Sequence, residues 1–133
     1  MTTPEADTSQ IRGIRRLSRA IKFSVSGIRH ALTNAVAIRN EFVALAMLVP
    51  ISALLPVTDI EHLVLVLSMM LVLLVEFINS AIETAINRIS IEVHPLAKQA
   101  KDMASAAVFL SVLMSGLSWT VIAGPVLFQW LRS

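Results

Sequence analysis

The chain has 133 residues, 56% of them hydrophobic and 15% charged, and a formal net charge of +2. A soluble domain carries about 25% charged residues, so this chain has too few charges to cover a small soluble globule, and we expect its apolar surface to face lipid. The apolar excess also excludes intrinsic disorder. The absence of Cys excludes a disulfide scaffold, a thiolate metal site and a cysteine nucleophile. The length predicts one domain, residues 1–133, without a second large core.

The N-terminal region is polar and then basic. Residues 1–10 are expected to form a frayed tail. Over residues 11–34, apolar residues recur at steps of three and four, which predicts one apolar face of an α-helix. Basic residues fill much of the remaining surface: Arg12, Arg15, Arg16, Arg19, Lys22 and Arg29. Such a helix is typical of the membrane interface. The alternative is a helix that binds a partner in a soluble bundle.

Three apolar segments follow, and they predict transmembrane helices over residues 35–57, 62–89 and 95–131. A span needs about 20 residues; the first apolar run, residues 42–57, is short for one, and residues 35–38 extend it. Pro95 suits the first turn of a helix, which makes His94 the last residue of the preceding loop. The predicted fold is therefore an all-α membrane protein, with an amphipathic surface helix at its N-terminus and three transmembrane helices.

The positions of Lys and Arg predict the orientation of these spans. Seven of the eleven precede residue 40, three lie around the second connection, and one, Arg132, is near the C-terminus. With three spans, the N-terminus and the second connection share one side of the membrane, and we expect this basic side to be cytoplasmic. Membrane orientation and attraction to anionic lipid headgroups then account for the basic residues, so no nucleic-acid partner is expected.

A polar stripe runs along the second predicted span. At about 100° per residue, its members fall within an arc of about 100°. They are Glu76, Asn79, Ser80, Glu83 and Asn87. An acidic residue inside a span costs about 2.5–3.5 kcal/mol on insertion scales, and such residues usually mark function. The alternative is a stripe of hydrogen bonds that holds an oligomer together, for which Asn and Ser alone would serve.

Two carboxylates on one helix face suit two different tasks. Glu76 lies within the predicted apolar core, where a carboxylate is suited to act as a general base. Glu83 lies two turns nearer to cytoplasmic water, where an ionised carboxylate suits Mg²⁺, and Asn79 between them can orient an oxygen. Lys101, at the mouth of the third span, is a point charge suited to a phosphate. A lysine that only anchors the helix end is an equal alternative.

This arrangement predicts phosphoryl transfer to a lipid hydroxyl, because that reaction needs mainly positioning and charge neutralisation. The sequence has four Gly residues and no Gly-rich phosphate-binding loop. An alternative from another class is a proton- or ion-conducting bundle in which Glu76 and Glu83 form a relay. A path for protons or ions would need polar side chains along the whole span, and within residues 63–75 only Ser68 is polar.

Two motifs, EFINSAIE at residues 76–83 and AKDMASAA at residues 100–107, resemble those of the small integral-membrane diacylglycerol kinases of bacteria. The similarity extends over roughly residues 14–120. The resemblance implies a homotrimeric bundle in the bacterial inner membrane, with the C-terminus periplasmic and with sites shared between neighbouring subunits. It also implies ATP as co-substrate, Mg²⁺ as the metal, and phosphorylation of diacylglycerol to phosphatidic acid.

The same resemblance implies roles for individual residues. Glu76 corresponds to the catalytic base, Glu83 to a metal ligand, and Asn79 to a residue that supports both. The residues implied in ATP binding are Arg16, Phe23, Glu83, Glu92, His94, Lys101 and Asp102. The residues implied in binding the lipid substrate are Arg16, Glu41, Glu76, Asn79 and Ser105.

Three positions depart from the pattern of the family. Ala35 stands where the family usually has a second metal-binding carboxylate, Asn87 where it usually has Asp, and Phe23 where an aromatic hydroxyl is common. An Ala side chain cannot coordinate a cation, so one metal site is weakened or recruits another group. Two alternatives therefore stay open: phosphorylation of another lipid alcohol, such as undecaprenol, or a non-catalytic member of the family.

Overall fold

Four α-helices make up the structure, a computed structural model that describes residues 5–89 and 94–132. In chain order they are α1 (Glu5–Asn34), α2 (Val36–Leu54), α3 (Asp59–Ile89) and α4 (Pro95–Trp130). By length and composition, α2, α3 and α4 are long and apolar enough to cross a membrane. The prediction of an all-α fold with three helices of spanning length is confirmed.

The first helix begins earlier than its apolar periodicity indicates. α1 starts at Glu5, within the stretch for which a frayed tail is expected, and residues 1–4 lie outside the described residues. The chain divides into two compact units after Ala35, and α1 is described by itself.

The connection between α2 and α3 is short and held by side chains. α2 ends at Leu54, three residues before the predicted end of the span, because Pro56 disfavours a helical conformation at the residue before it. α3 opens with a capping box. The Glu61 carboxylate accepts hydrogen bonds from the Thr58 backbone N–H at 2.8 Å and hydroxyl at 2.7 Å. The Glu61 N–H donates back to Thr58 Oγ1 at 3.3 Å.

The start of α4 agrees with the sequence prediction. Pro95 occupies the first turn, and His94 is the capping residue with an extended backbone. The His94 Nδ1 atom accepts a hydrogen bond from the Leu96 N–H at 3.2 Å. This bond satisfies one of the N–H groups that the first turn of a helix leaves without a backbone partner, and it fixes the point at which the chain enters α4.

The three helices after residue 35 form one unit, with α3 packed against both α2 and α4. At one end of this unit Leu55, Leu65 and Ala123 form a small buried cluster that Trp119 covers. One turn from Leu65, the Ser68 and Ser115 hydroxyls approach to 3.3 Å and join α3 to α4. Most other large apolar side chains of the unit are exposed, as expected for helices whose surface faces lipid.

We expect Leu65→Ala to lower the free energy of unfolding by about 2 kcal/mol or more, because Leu65 has no exposed surface and its loss leaves a cavity. The matched control is Leu67→Ala on the same helix, where the side chain is 52% exposed. Unfolding of the purified protein in mixed detergent micelles measures both. Equal losses in the two variants would contradict the packing described for α3.

Candidate active site

A buried carboxylate lies near the middle of α3. Glu76 is only 7% exposed, although it belongs to a helix of spanning length. The side chain of Asn79, one turn further along on the same face, lies beside the Glu76 carboxyl group. Asn79 is also buried, and its Oδ1 atom has no hydrogen-bond partner among the described residues. The pair therefore combines a proton acceptor with an amide oxygen that can still take a donor or a cation.

Two further carboxylates lie close enough to Glu76 to interact with it electrostatically. One is Glu41 on α2, which is half-buried, and the other is Glu83, two turns along α3. Negative charges held near one another repel, so this arrangement favours the binding of a cation. The structure thus brings together four of the predicted site residues, Glu41, Glu76, Asn79 and Glu83.

An aromatic contact positions the carboxylates of α2 and α3. The rings of Phe42 and Phe77 meet edge to face, with centroids 6.5 Å apart and planes at 81°. This is a favourable arrangement for two aromatic rings. Because Phe42 follows Glu41 and Phe77 follows Glu76 in the chain, the contact fixes how the two acidic residues approach each other. Sequence analysis did not single out this pair, since no spacing pattern links residues on different helices.

Further charged groups of the site lie near the start of α4, where it follows α3 in the chain. Lys101 Nζ donates a hydrogen bond to Asn87 Oδ1 at 2.7 Å, which joins α4 to α3. Asp102 forms an ion pair with Lys98, four residues earlier on the same helix. The Lys98–Asp102 pair follows the i, i+4 spacing of a helix and can be recognised from the sequence. The Lys101–Asn87 bond crosses between helices, and no spacing rule predicts it.

The remaining predicted residues are more scattered. Ser105 lies one turn after Lys101 on α4 and is exposed, and His94 is exposed at the start of that helix. Arg16 and Phe23 are exposed on α1 and are described within that helix alone. Glu92 lies outside the described residues.

A cleft of about 260 Å³ lies beside Glu41. Residues of α2, α3 and α4 line it, and these include Glu41, Leu48, Met69, Ser115 and Trp119. The walls are mostly apolar, and Glu41 contributes the acidic side chain. The Nε1 atom of Trp119 is buried and without a hydrogen-bond partner among the described residues. Sequence analysis missed the cleft, because it arises from the packing of three helices rather than from any one of them.

The oxygen donors of this region fit a hydrated magnesium ion better than a protein-enclosed one. Among the described residues, no three acidic or histidine side chains converge closely enough to hold a metal ion. Mg²⁺ usually retains several waters and binds one or two carboxylates together with substrate phosphates. The exposed Glu83 carboxylate and the unpartnered Asn79 Oδ1 meet that smaller requirement.

Three helices of spanning length and a buried carboxylate among them are typical of a polytopic membrane protein. The sequence profile described as prokaryotic diacylglycerol kinase matches residues 22–123. The chain therefore belongs to the prokaryotic diacylglycerol kinase family, and it is a lipid kinase.

Curated relatives support this assignment along most of the chain. The chain is 40% identical to the diacylglycerol kinase of Escherichia coli strain K12 over 110 residues, which cover 83% of this chain and 90% of that protein. It is 36% identical to the Haemophilus influenzae diacylglycerol kinase over 116 residues, or 87% of this chain and 95% of the relative. A Helicobacter pylori diacylglycerol kinase is 35% identical over 116 residues, or 87% of this chain and 88% of the relative.

The aromatic contact between α2 and α3 generates a quantitative prediction. In a double-mutant cycle of Phe42→Leu and Phe77→Leu, we expect a coupling free energy of about 0.5–1.5 kcal/mol, because edge-to-face rings attract beyond their buried area. Unfolding of the wild type, both single variants and the double variant in detergent measures it. Additive losses from the two single variants would show that the rings do not stabilise each other.

Proposed function

We propose that this protein transfers the γ-phosphoryl group of ATP to the hydroxyl group of diacylglycerol and so forms phosphatidic acid. The observation that carries the proposal is the buried Glu76–Asn79 pair within a helix of spanning length. A carboxylate at that place is positioned for a substrate that resides in the membrane. Lys101, at the end of the neighbouring helix, is positioned for a charged substrate that arrives from water.

In the proposed reaction, Glu76 accepts the proton of the lipid hydroxyl group. The hydroxyl oxygen forms a bond to the γ-phosphorus of ATP, and the bond between that phosphorus and the bridging oxygen breaks, so that ADP leaves. Asn79, which is buried beside the carboxylate, is proposed to orient it. Phosphoryl transfer depends mainly on positioning and on compensation of negative charge, which a small helical site can supply without a phosphate-binding loop.

Lys101 and Asp102 are proposed to lie along the phosphate groups of ATP. His94 is proposed to contact the nucleotide from the start of α4, and its bond to Leu96 uses Nδ1, which leaves Nε2–H as a donor. The resemblance assigns further nucleotide contacts to Glu92 in the connection and to two residues of α1. Those two residues are Arg16 and Phe23.

Magnesium is proposed to enter with the nucleotide and to be held by Glu83 and the Asn79 amide oxygen. A bound magnesium ion compensates the negative charge of the phosphates during transfer. Ala35, at the end of α1, supplies no ligand, so this chain has one carboxylate fewer for the purpose than the family pattern provides. The site therefore relies more on Glu83 and on the waters of the ion.

The lipid substrate is proposed to lie along the cleft of about 260 Å³ that opens beside Glu41. An apolar chain suits its walls, and the end at Glu41 brings the hydroxyl group of the lipid towards Glu76. Arg16 and Ser105 are the other proposed lipid contacts. In this pose the lipid reacts at the level of its own headgroup.

The proposed assembly is a homotrimer in the bacterial inner membrane. Two site residues, Glu83 and Ser105, are exposed in the single chain, which leaves room for a neighbouring subunit to complete the site. The N-terminus and the α3–α4 connection are proposed to face the cytoplasm, with the C-terminus periplasmic, because ten of the eleven Lys and Arg residues lie on that first side.

The activity test uses purified protein in mixed micelles with Mg²⁺ and γ-labelled ATP, and it offers diacylglycerol and undecaprenol separately. We expect labelled phosphatidic acid from the wild type and at least a hundredfold slower formation by Glu76→Gln, because an amide cannot accept the proton. Ser80→Ala is the matched control, since it changes a neighbouring polar residue of the same stripe that has no proposed role.

The other outcomes of this assay distinguish the alternatives. Product from undecaprenol alone would assign the protein a polyprenol substrate. Absence of product from either lipid would contradict the proposed activity, and recovery by Ala35→Glu would then identify a kinase disabled by the loss of a metal ligand. Proton flux through proteoliposomes without ATP would favour an ion conductor instead.

The orientation is tested by cysteine labelling, which is simple here because the chain has no native Cys. We expect a membrane-impermeant maleimide to label Asp59→Cys in intact spheroplasts and to label Gln99→Cys only after permeabilisation. Both positions are exposed and flank spans at opposite ends. The reverse pattern would overturn the proposed orientation.

A further inference from the structure

The contact between Asn87 and Lys101 is the hydrogen bond that ties the ends of α3 and α4 together at their connection. Lys101 Nζ lies 2.7 Å from Asn87 Oδ1. Asn87 stands in the last turn of α3 and is exposed, and Lys101 stands two turns into α4 and is half-buried. The bond therefore restrains a long, flexible side chain at the edge of the site.

Two lysines lie near this contact, and only one of them, Lys98, is paired with a carboxylate. Lys98 forms an ion pair with Asp102, so the nearest acidic residue of α4 is already compensated. Within the described part of the chain, Lys101 is bonded only to the uncharged oxygen of Asn87. A lysine ammonium has three donors. One of them is used by Asn87, and two are left for another acceptor.

We propose that Asn87 is a positioning residue that holds Lys101 for the phosphate groups of the nucleotide while leaving its positive charge uncompensated. The inference rests on the proposed function, in which Lys101 contacts those phosphates. The family pattern has Asp at position 87, which would bind Lys101 as an ion pair that the phosphates must displace, whereas the Asn87 oxygen leaves the charge of Lys101 uncompensated. An Asp there would also add a negative charge one turn after Glu83, where like charges repel.

The proposal is tested by nucleotide binding and by kinetics. The two variants are Asn87→Asp, which has nearly the same shape and a negative charge, and Asn87→Ala, which releases Lys101. We expect Asn87→Asp to raise the KM for MgATP about three- to fivefold with kcat within about twofold of wild type. Asn87→Ala is expected to raise the same KM about twofold. The dissociation constant of a fluorescent ATP derivative should change in parallel.

The control for added charge is Gln99→Glu. It introduces the same negative charge near the start of α4, but two residues before Lys101 and therefore about 200° around the helix. We expect its KM for MgATP to match that of the wild type. A rise equal to that of Asn87→Asp would show a general effect of charge and would overturn the positioning role.

A second control separates this inference from the function on which it rests. In a Lys101→Met background, Asn87→Asp should no longer weaken binding of the fluorescent nucleotide, because Asn87 acts through Lys101. If Lys101→Met alone leaves that binding unchanged, the phosphate role of Lys101 fails and the inference fails with it. If Lys101→Met weakens binding but Asn87→Asp does not, only the positioning role of Asn87 is overturned.

Discussion

The burial of the Glu76 carboxylate on a largely apolar helix is the constraint on which the rest of this structure depends. At the centre of a span an acidic side chain costs about 2.5–3.5 kcal/mol, and Glu76 is among the most buried polar residues of the unit. The polar side chain of Asn79 lies beside it and is buried as well. The position of α3 between α2 and α4 removes the group from lipid contact.

The packing around that carboxylate links stability to the proposed chemistry. The Phe42–Phe77 contact sets the approach of α2 to α3, and the serine pair Ser68–Ser115 joins α3 to α4 further along. Ser115 also lines the cleft that Glu41 and Trp119 border, so the packing of α3 on α4 contributes to the shape of the proposed lipid site.

Helical periodicity predicts a large part of this arrangement. The stripe from Glu76 to Asn87 follows from spacing alone, because residues on one helix have fixed angular relations, and the start of α4 follows from Pro95. The approach of Glu41 to Glu76 and the bond from Asn87 to Lys101 are different, since both join separate helices whose relative rotation depends on packing. The start of α1 at Glu5 precedes the first apolar residue of the periodic pattern, so apolar spacing does not indicate it.

The lengths of α3 and α4 affect how a lipid substrate reaches the enzyme. Their 31 and 36 residues extend about 46 and 54 Å, whereas the hydrocarbon layer is about 30 Å thick. Both helices therefore pass through the dielectric boundary and continue into water, so one continuous scaffold reaches both media. A lipid alcohol can then enter by lateral diffusion within its own leaflet, and the barrier to desorption from the bilayer never becomes part of the catalytic cycle.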